Sequence, residues 1–175
     1  SDARDLLIAS VLSPDPVIYI DDRWLYDQED VLQEVEELDL SVQGPTVTEI
    51  GEDITIVASG HASLLAREAA KEVVVSGVAA EVIDVRVLNP FDSSVIVESV
   101  CKTGRLLVVD SGWLSGGFSA EIIANVVEKI PVNVLKSPPA RIALPDAPAP
   151  SSRVLEKEYY TAVSDVVVAI ELKMK

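Results

Sequence analysis

"RLLVVDSGWLSGGFSAEIIANVVEKI", from Arg105 to Ile130, is the stretch on which the fold turns. An apolar run ends at Asp110, a loop carries Gly112, Gly116 and Gly117, and a helical pattern follows from about Ser119. Strand, glycine loop and helix in that order form the core of a βαβ unit and predict a parallel sheet. The same order builds phosphate sites, because backbone N–H groups at a helix start attract anions. A dinucleotide fingerprint, however, needs G-x-G-x-x-G and an acid about 20 residues further on. Here the pattern is G-x-x-x-G-G, the downstream segment "IPVNVLKSP" contains no acid, and the loop has no lysine for a Walker motif. Close packing of Gly116 and Gly117 against a sheet or another subunit is the favoured reading.

Outward from that loop the pattern repeats. "ITIVAS" is a continuous apolar strand ending at Gly60, and Ala62 to Val75 is helical. "AEVIDV" is the next strand, and "NPFDSSVIVESVCKTG" is a helix with Asp92 as N-cap and Gly104 as stop. "RLLVVD" is the third strand and "VNVLKS" the fourth. Apolar strands alternating with helices predict a three-layer α/β/α domain with a mostly parallel sheet of about five strands. Beyond Lys136, five prolines (Pro138, Pro139, Pro145, Pro148, Pro150) predict a stiff irregular passage. A last helix, about Thr161 to Lys173, carries Val163, Val166, Val167 and Ile170 on one side.

The N-terminal part differs. Asp2 to Leu12 is helical in pattern, Pro14 and Pro16 stop it, and "PVIYI" reads as a short β-run. From Asp15 to Asp53 acids crowd together with Arg23 as the only base, a composition that suits a solvated linker. The start "SDARD" has neither Met nor a signal-peptide pattern, so the chain is expected to begin inside a longer protein.

Composition narrows the partners. The 175 residues include 29 acids against 14 bases, for a net charge of −15. Nucleic acid and anionic membrane surfaces require the opposite sign, whereas a basic protein is electrostatically permitted. With one cysteine, Cys101, and one histidine, His61, neither an internal disulfide nor a multi-histidine or cysteine-based metal site can form. That cysteine usage fits a cytoplasmic home.

Single residues add little chemistry. His61 follows a strand at the end of the sheet where ligands sit, and a general base there is conceivable, but no partner is evident from spacing. Cys101 falls late in a helix and reads as a small hydrophobe. Asp84 and Asp110 end strands, where carboxylates cap turns more often than they exchange protons. Glu121 near a helix start is favoured by the macrodipole alone. Trp113 reads as a packing or interface anchor.

"DARDLLIASVLSPDPVIYI", "EVIDVRVLNPFD", "VCKTGRLLVVD", "GGFSAEI" and "PPARIALPDAPAPSSRVLEKEYY" together say more. In their order and spacing they resemble the C-terminal half of the E1 β subunit of thiamine-diphosphate-dependent 2-oxoacid dehydrogenases, of pyruvate or branched-chain type. Transketolase and deoxyxylulose-phosphate synthase share the same transketolase-like domain. Two departures stand out: "VQGPT" replaces the family's Pro-x-Gly-Lys element, and Asp21 opens "DDRWLY" where Glu is usual.

The resemblance implies residues 1–30 as the remnant helix and strand of a pyrimidine-binding domain, 31–53 as an acidic linker, and 54–175 as the transketolase-like domain. It implies thiamine diphosphate and Mg in the complete enzyme, but no catalytic, cofactor-binding or metal residue in this chain, which alone should be inactive. Its implied roles are subunit assembly and docking. The implied partners are an E1 α-type subunit or the missing thiamine-binding domains, the E2 acyltransferase, and a second copy in a homodimer. The implied location is the cytoplasm, or the mitochondrial matrix in a eukaryote. Interface candidates are Trp113, Gly116, Gly117, Phe118, Glu121 and Ile122, with Trp113, Phe118 and Ile122 expected to be exposed together. Docking candidates are Asp146, Glu156, Glu158 and the terminal carboxylate of Lys175. The alternative is a free-standing anion- or nucleotide-binding α/β module using the cleft near His61 and Gly116.

Overall fold

A computed structural model describes residues 2–29, 31 and 33–175. It divides into two units, residues 1–44 and 45–175.

In the first unit, α1 (Asp2–Leu12) forms as the sequence predicts, with Asp5 and Ala9 buried. Arg4 bonds the Asp5 carboxylate at 2.8 Å and the Gln33 and Glu34 carbonyls at 2.9 and 3.0 Å, so the helix is tied back to the acidic segment. "PVIYI" is not a strand: Pro16 to Ile20 have no ladder partner among the described residues, and Ile18 and Ile20 face solvent. A β-run needs a neighbouring strand, and the described residues of this unit offer none.

The second unit is a five-stranded sheet in the order β1-β3-β2-β4-β5. Its strands are β1 (Thr46–Glu49), β2 (Ile54–Ala58), β3 (Ala80–Asp84), β4 (Leu106–Trp113) and β5 (Ala140–Leu144). The three inner pairings, β2 with β3, β2 with β4 and β4 with β5, are parallel, while β1 closes one edge antiparallel to β3. β1 lies inside the segment expected as linker.

Side chains alternate across the pleat and build two cores. Ile54, Ile56, Ala58, Val82, Leu107 and Val109 face α2 (His61–Val73) and the C-terminal helix, Val163–Met174. Val57, Ile83, Leu106 and Val108 face α3 (Ser94–Thr103) and α4 (Phe118–Lys129). A short α5 (Arg153–Tyr159) precedes the last helix, α6 (Val163–Met174). Ala62, Ala66 and Ala69 give α2 a small-residue face that lets it lie close on the sheet, and Val166 and Ile170 of α6 are fully buried beside it. The predicted three-layer, mostly parallel sheet is thus observed.

Two strand and helix assignments need correction. "VNVLKS" is a turn: Val134 N–H donates to the Pro131 carbonyl, Lys136 N–H to the Gly104 carbonyl, and Val132 is fully exposed. The edge position belongs to Ala140–Leu144, within the passage expected to be irregular, because Pro138 and Pro139 lack N–H groups and a ladder can start only after them. α3 starts at Ser94, with Ser93 at the N-cap position. Asp92 still caps it, accepting the Ser94 N–H at 2.8 Å and the Ser94 hydroxyl at 2.9 Å, bonds that hold its carboxyl below the usual range. Gly104 ends α3 in the left-handed region, as predicted.

Candidate functional site

In an open parallel sheet, ligands settle at the carboxyl ends of strands where the chain order reverses. Here β2 has β3 on one side and β4 on the other, so that position lies beyond Ala58 and Val109. The chain leaving β2 opens α2 with Gly60 and a half-buried His61. The chain leaving β4 is the glycine loop.

The helix start after that loop is already occupied by the chain's own carboxylate. Asp110 Oδ2 accepts the Ser119 N–H at 2.8 Å, and Asp110 Oδ1 accepts the Gly112 N–H at 2.8 Å. One side chain therefore closes the loop and caps α4, taking the donor that a phosphate would need. Glycine at 117 serves closeness: a Cβ there would lie 2.1 Å from the Trp113 carbonyl oxygen and 3.0 Å from Asp110 Oδ2. Gly116, at φ 70°, supplies the left-handed turn and faces open space.

A second carboxylate holds the loop from outside. Asp146 accepts the Ser115 hydroxyl at 2.5 Å and the Ser115 N–H at 3.0 Å, and these bonds keep its carboxyl below the usual range. The half-buried Asp84 accepts the Arg86 N–H at 3.3 Å, a local turn bond.

The interface candidates are not all exposed: Trp113, Gly116 and Glu121 are, Gly117 and Phe118 are half-buried, and Ile122 is buried. Trp113 is half exposed, and its indole N–H donates to the Tyr159 hydroxyl at 3.2 Å. Phe118 packs edge-on against Phe91 with ring centroids 5.2 Å apart. Glu121 is exposed and accepts the Asn125 amide at 2.7 Å. Ile122, expected to be exposed with Trp113 and Phe118, is 3% exposed in the α3–α4 core. It lies one turn into α4, on the face turned to the sheet. Among the docking candidates Asp146, Glu158 and Lys175 are exposed and Glu156 is half-buried. Cys101 is exposed rather than buried, because it lies off the α3 stripe formed by Ile96 and Val100.

Sequence reading missed a buried polar network at the other end of the sheet. Thr55 of β2 meets Ser99 Oγ at 2.6 Å and Thr103 Oγ1 at 2.8 Å. Beside it, Glu81 of β3 is 4% exposed and accepts Lys102 Nζ at 2.5 Å. Burial pushes the Glu81 carboxyl up, but hydrogen bonds from Lys102, Ser99 and the Gly51 N–H outweigh it and leave it lowered. The only available signal was the short polar spacing Ser99, Lys102, Thr103 on an otherwise apolar helix. Among the described residues no group of three or more His, Cys, Asp or Glu is placed to hold a metal, and no helix is long and apolar enough to cross a membrane.

Comparison with known proteins agrees with this geometry. The family model described as transketolase, C-terminal domain, matches residues 43–166. The pyruvate dehydrogenase E1 component subunit β of Rhizobium meliloti (strain 1021) is 33% identical over 171 residues, covering 98% of this chain and 37% of that protein. The mitochondrial pyruvate dehydrogenase E1 component subunit β-1 of Arabidopsis thaliana is 37% identical over 172 residues, covering 96% of this chain and 47% of that protein. A solved split-gene transketolase, described as an inactive β4 tetramer, superposes with a TM-score of 0.63 at 30% identity, covering 74% of this chain and 42% of that one. The chain spans less than half the length of these relatives. By the family match, by the E1 β relatives and by its sheet order, the chain belongs to the transketolase C-terminal domain family, alongside the E1 β subunits of 2-oxoacid dehydrogenases.

Proposed function

We propose that this chain is the non-catalytic assembly and partner-docking part of a thiamine-diphosphate-dependent 2-oxoacid dehydrogenase E1 β subunit or a close transketolase-like enzyme. The observation that carries the reading is the self-filled helix start: Asp110 holds the Ser119 N–H that an anionic ligand would need. The cofactor's pyrophosphate does not fit there, because the site offers it a carboxylate and a glycine with no spare room. Thiamine diphosphate and Mg belong to the complete enzyme. Residues 1–30 are a remnant of an upstream pyrimidine-binding domain, for which relatives at least twice as long as this chain leave room, and the linker that follows ends before β1, which is already part of the sheet.

In this reading Trp113, Gly116, Gly117, Phe118 and Glu121 belong to a subunit contact, to which Ile122 contributes only as support from the core. Asp146, Glu156, Glu158 and the Lys175 carboxylate face a basic E2 domain. The other partner is an E1 α-type subunit.

The test is a pair of titrations on one preparation. Thiamine diphosphate with Mg should give no binding heat, while a basic E2 docking fragment should bind. Added salt should weaken that complex, and Glu158→Lys and Asp146→Lys should slow its formation, as rim charges do. Micromolar cofactor binding would overturn the non-catalytic reading. Docking indifferent to salt and to both substitutions would place the E2 surface elsewhere.

A further inference from the structure

Two segments far apart in sequence meet at the glycine loop, where the last residue of β4, Trp113, and the two loop residues after it are each held by a different part of the chain that follows. Trp113 donates its indole N–H to the Tyr159 hydroxyl, which in turn donates to the Ala147 carbonyl at 2.7 Å. Leu114 is held twice: its N–H donates to the Leu144 carbonyl at 2.9 Å, and its carbonyl accepts from Arg141 at 3.0 Å. Ser115 gives both its N–H and its hydroxyl to Asp146. Ala147 closes the far side, its N–H donating to the Pro145 carbonyl at 2.7 Å.

Trp113, Ser115, Asp146 and Arg141 are all solvent-exposed, so water competes for each of these bonds. A single exposed hydrogen bond contributes little net stability, and the set holds only when its members support one another. The triplet is also flanked by glycines. Gly112 stands before it, and Gly116, at φ 70° with open space around its Cα, stands after it. Gly112 is held within β4 by Asp110 and Trp113 is still in register with Leu144, so the freer end is at Gly116, and beyond the ladder Ser115 is held by the Asp146 side chain.

We propose that Trp113–Ser115 and the 145–148 passage form a latch: one coupled element in which releasing either end loosens the other. A cationic or donor-rich group that captures Asp146 would draw it from Ser115 and free the loop. If the subunit-contact and docking surfaces lie where the proposed function puts them, the latch links them energetically. The latch itself is a property of the unpartnered chain and is tested there.

The measurement is amide hydrogen exchange on the chain alone, comparing Asp146→Ala, Tyr159→Phe and Ser115→Ala with the parent. Asp146→Ala should speed exchange at the Ser115 amide by roughly five-fold, the scale that one ordinary hydrogen bond sets. Tyr159→Phe removes a hydroxyl that does not touch Ser115, yet it should speed exchange at both Ser115 and Ala147. Changes confined to the segment that carries each substitution would overturn the latch. Should Asp146→Ala fail to fold, Tyr159→Phe and Ser115→Ala give the same crossed readout. Because no partner is present, failure of the docking proposal leaves this result unaffected.

Discussion

Asp110 and Ser119 stand nine positions apart at opposite ends of the glycine loop, and a carboxylate oxygen of one accepts the backbone N–H of the other at 2.8 Å. That bond settles how a strand–glycine–helix sequence can avoid being an anion site. Helix N-termini are positive and leave N–H groups unsatisfied, so some acceptor must come. Here it is covalently part of the chain.

Asp110→Ala should therefore cost about 1–2 kcal/mol, since two N–H groups lose their acceptor at once. Asp110→Asn keeps one acceptor oxygen and should cost less. Urea unfolding of the three proteins checks the order; equal midpoints would show that water replaces the carboxylate without loss.

Gly117 and Gly116 should respond differently to alanine. At 117 a methyl meets the Trp113 carbonyl, which is backbone and cannot swing aside, so Gly117→Ala should cost about 1–3 kcal/mol by overpacking. At 116 space is open and only the positive φ resists, at about 1 kcal/mol. Thermal and urea midpoints should rank Gly117→Ala below Gly116→Ala, and the reverse order would contradict the loop geometry.

Lys102 compensates a buried acid, and its removal should show in the pH dependence. With its carboxyl held below the usual glutamate value of about 4.3, Glu81 contributes stability that is present above that value. The contribution is lost as pH falls through the lowered one. Facing Glu81 are Lys102, Ser99 and the Gly51 N–H, with Glu52 3.7 Å from Lys102. Lys102→Met leaves the burial and removes the strongest donor, so the Glu81 carboxyl should move up. The substitution should cost about 1–2 kcal/mol near neutral pH, a figure reduced from fully buried pairs because Lys102 is partly exposed. That cost should shrink on acidification, as Glu81 becomes neutral in both proteins. Urea titrations at several pH values test it; a cost independent of pH would remove Glu81 from the account.

Trp113 should mark self-association. Trp113 is 52% exposed and Leu114 beside it 42%, an apolar pair that a two-fold contact would cover with its own copy. Sedimentation should show a concentration-dependent dimer that Trp113→Ala weakens by about ten-fold or more, as for an anchor residue. A monomer at every concentration would place the subunit contact elsewhere.

What the sequence determined by itself was the local order. The apolar runs at Ile54–Ala58, Ala80–Asp84 and Leu106–Val109 could bury both faces only inside a covered parallel sheet, and the 3.6-residue stripes of α2, α3, α4 and α6 supplied the covers. Gly104 was legible as a helix stop because a left-handed cap is a local requirement. The two edge strands were not legible. β1 hides among acids and β5 among prolines, and each becomes a strand only because a neighbour's free edge accepts it. The polar contacts at the glycine loop and at the far end of the sheet were decided by tertiary structure for the same reason. Asp110 with Ser119, Asp146 with Ser115 and Thr55 with Ser99 are pairs whose partners lie 9, 31 and 44 residues away. A carboxylate or hydroxyl carries no mark of which distant donor the fold will bring to it.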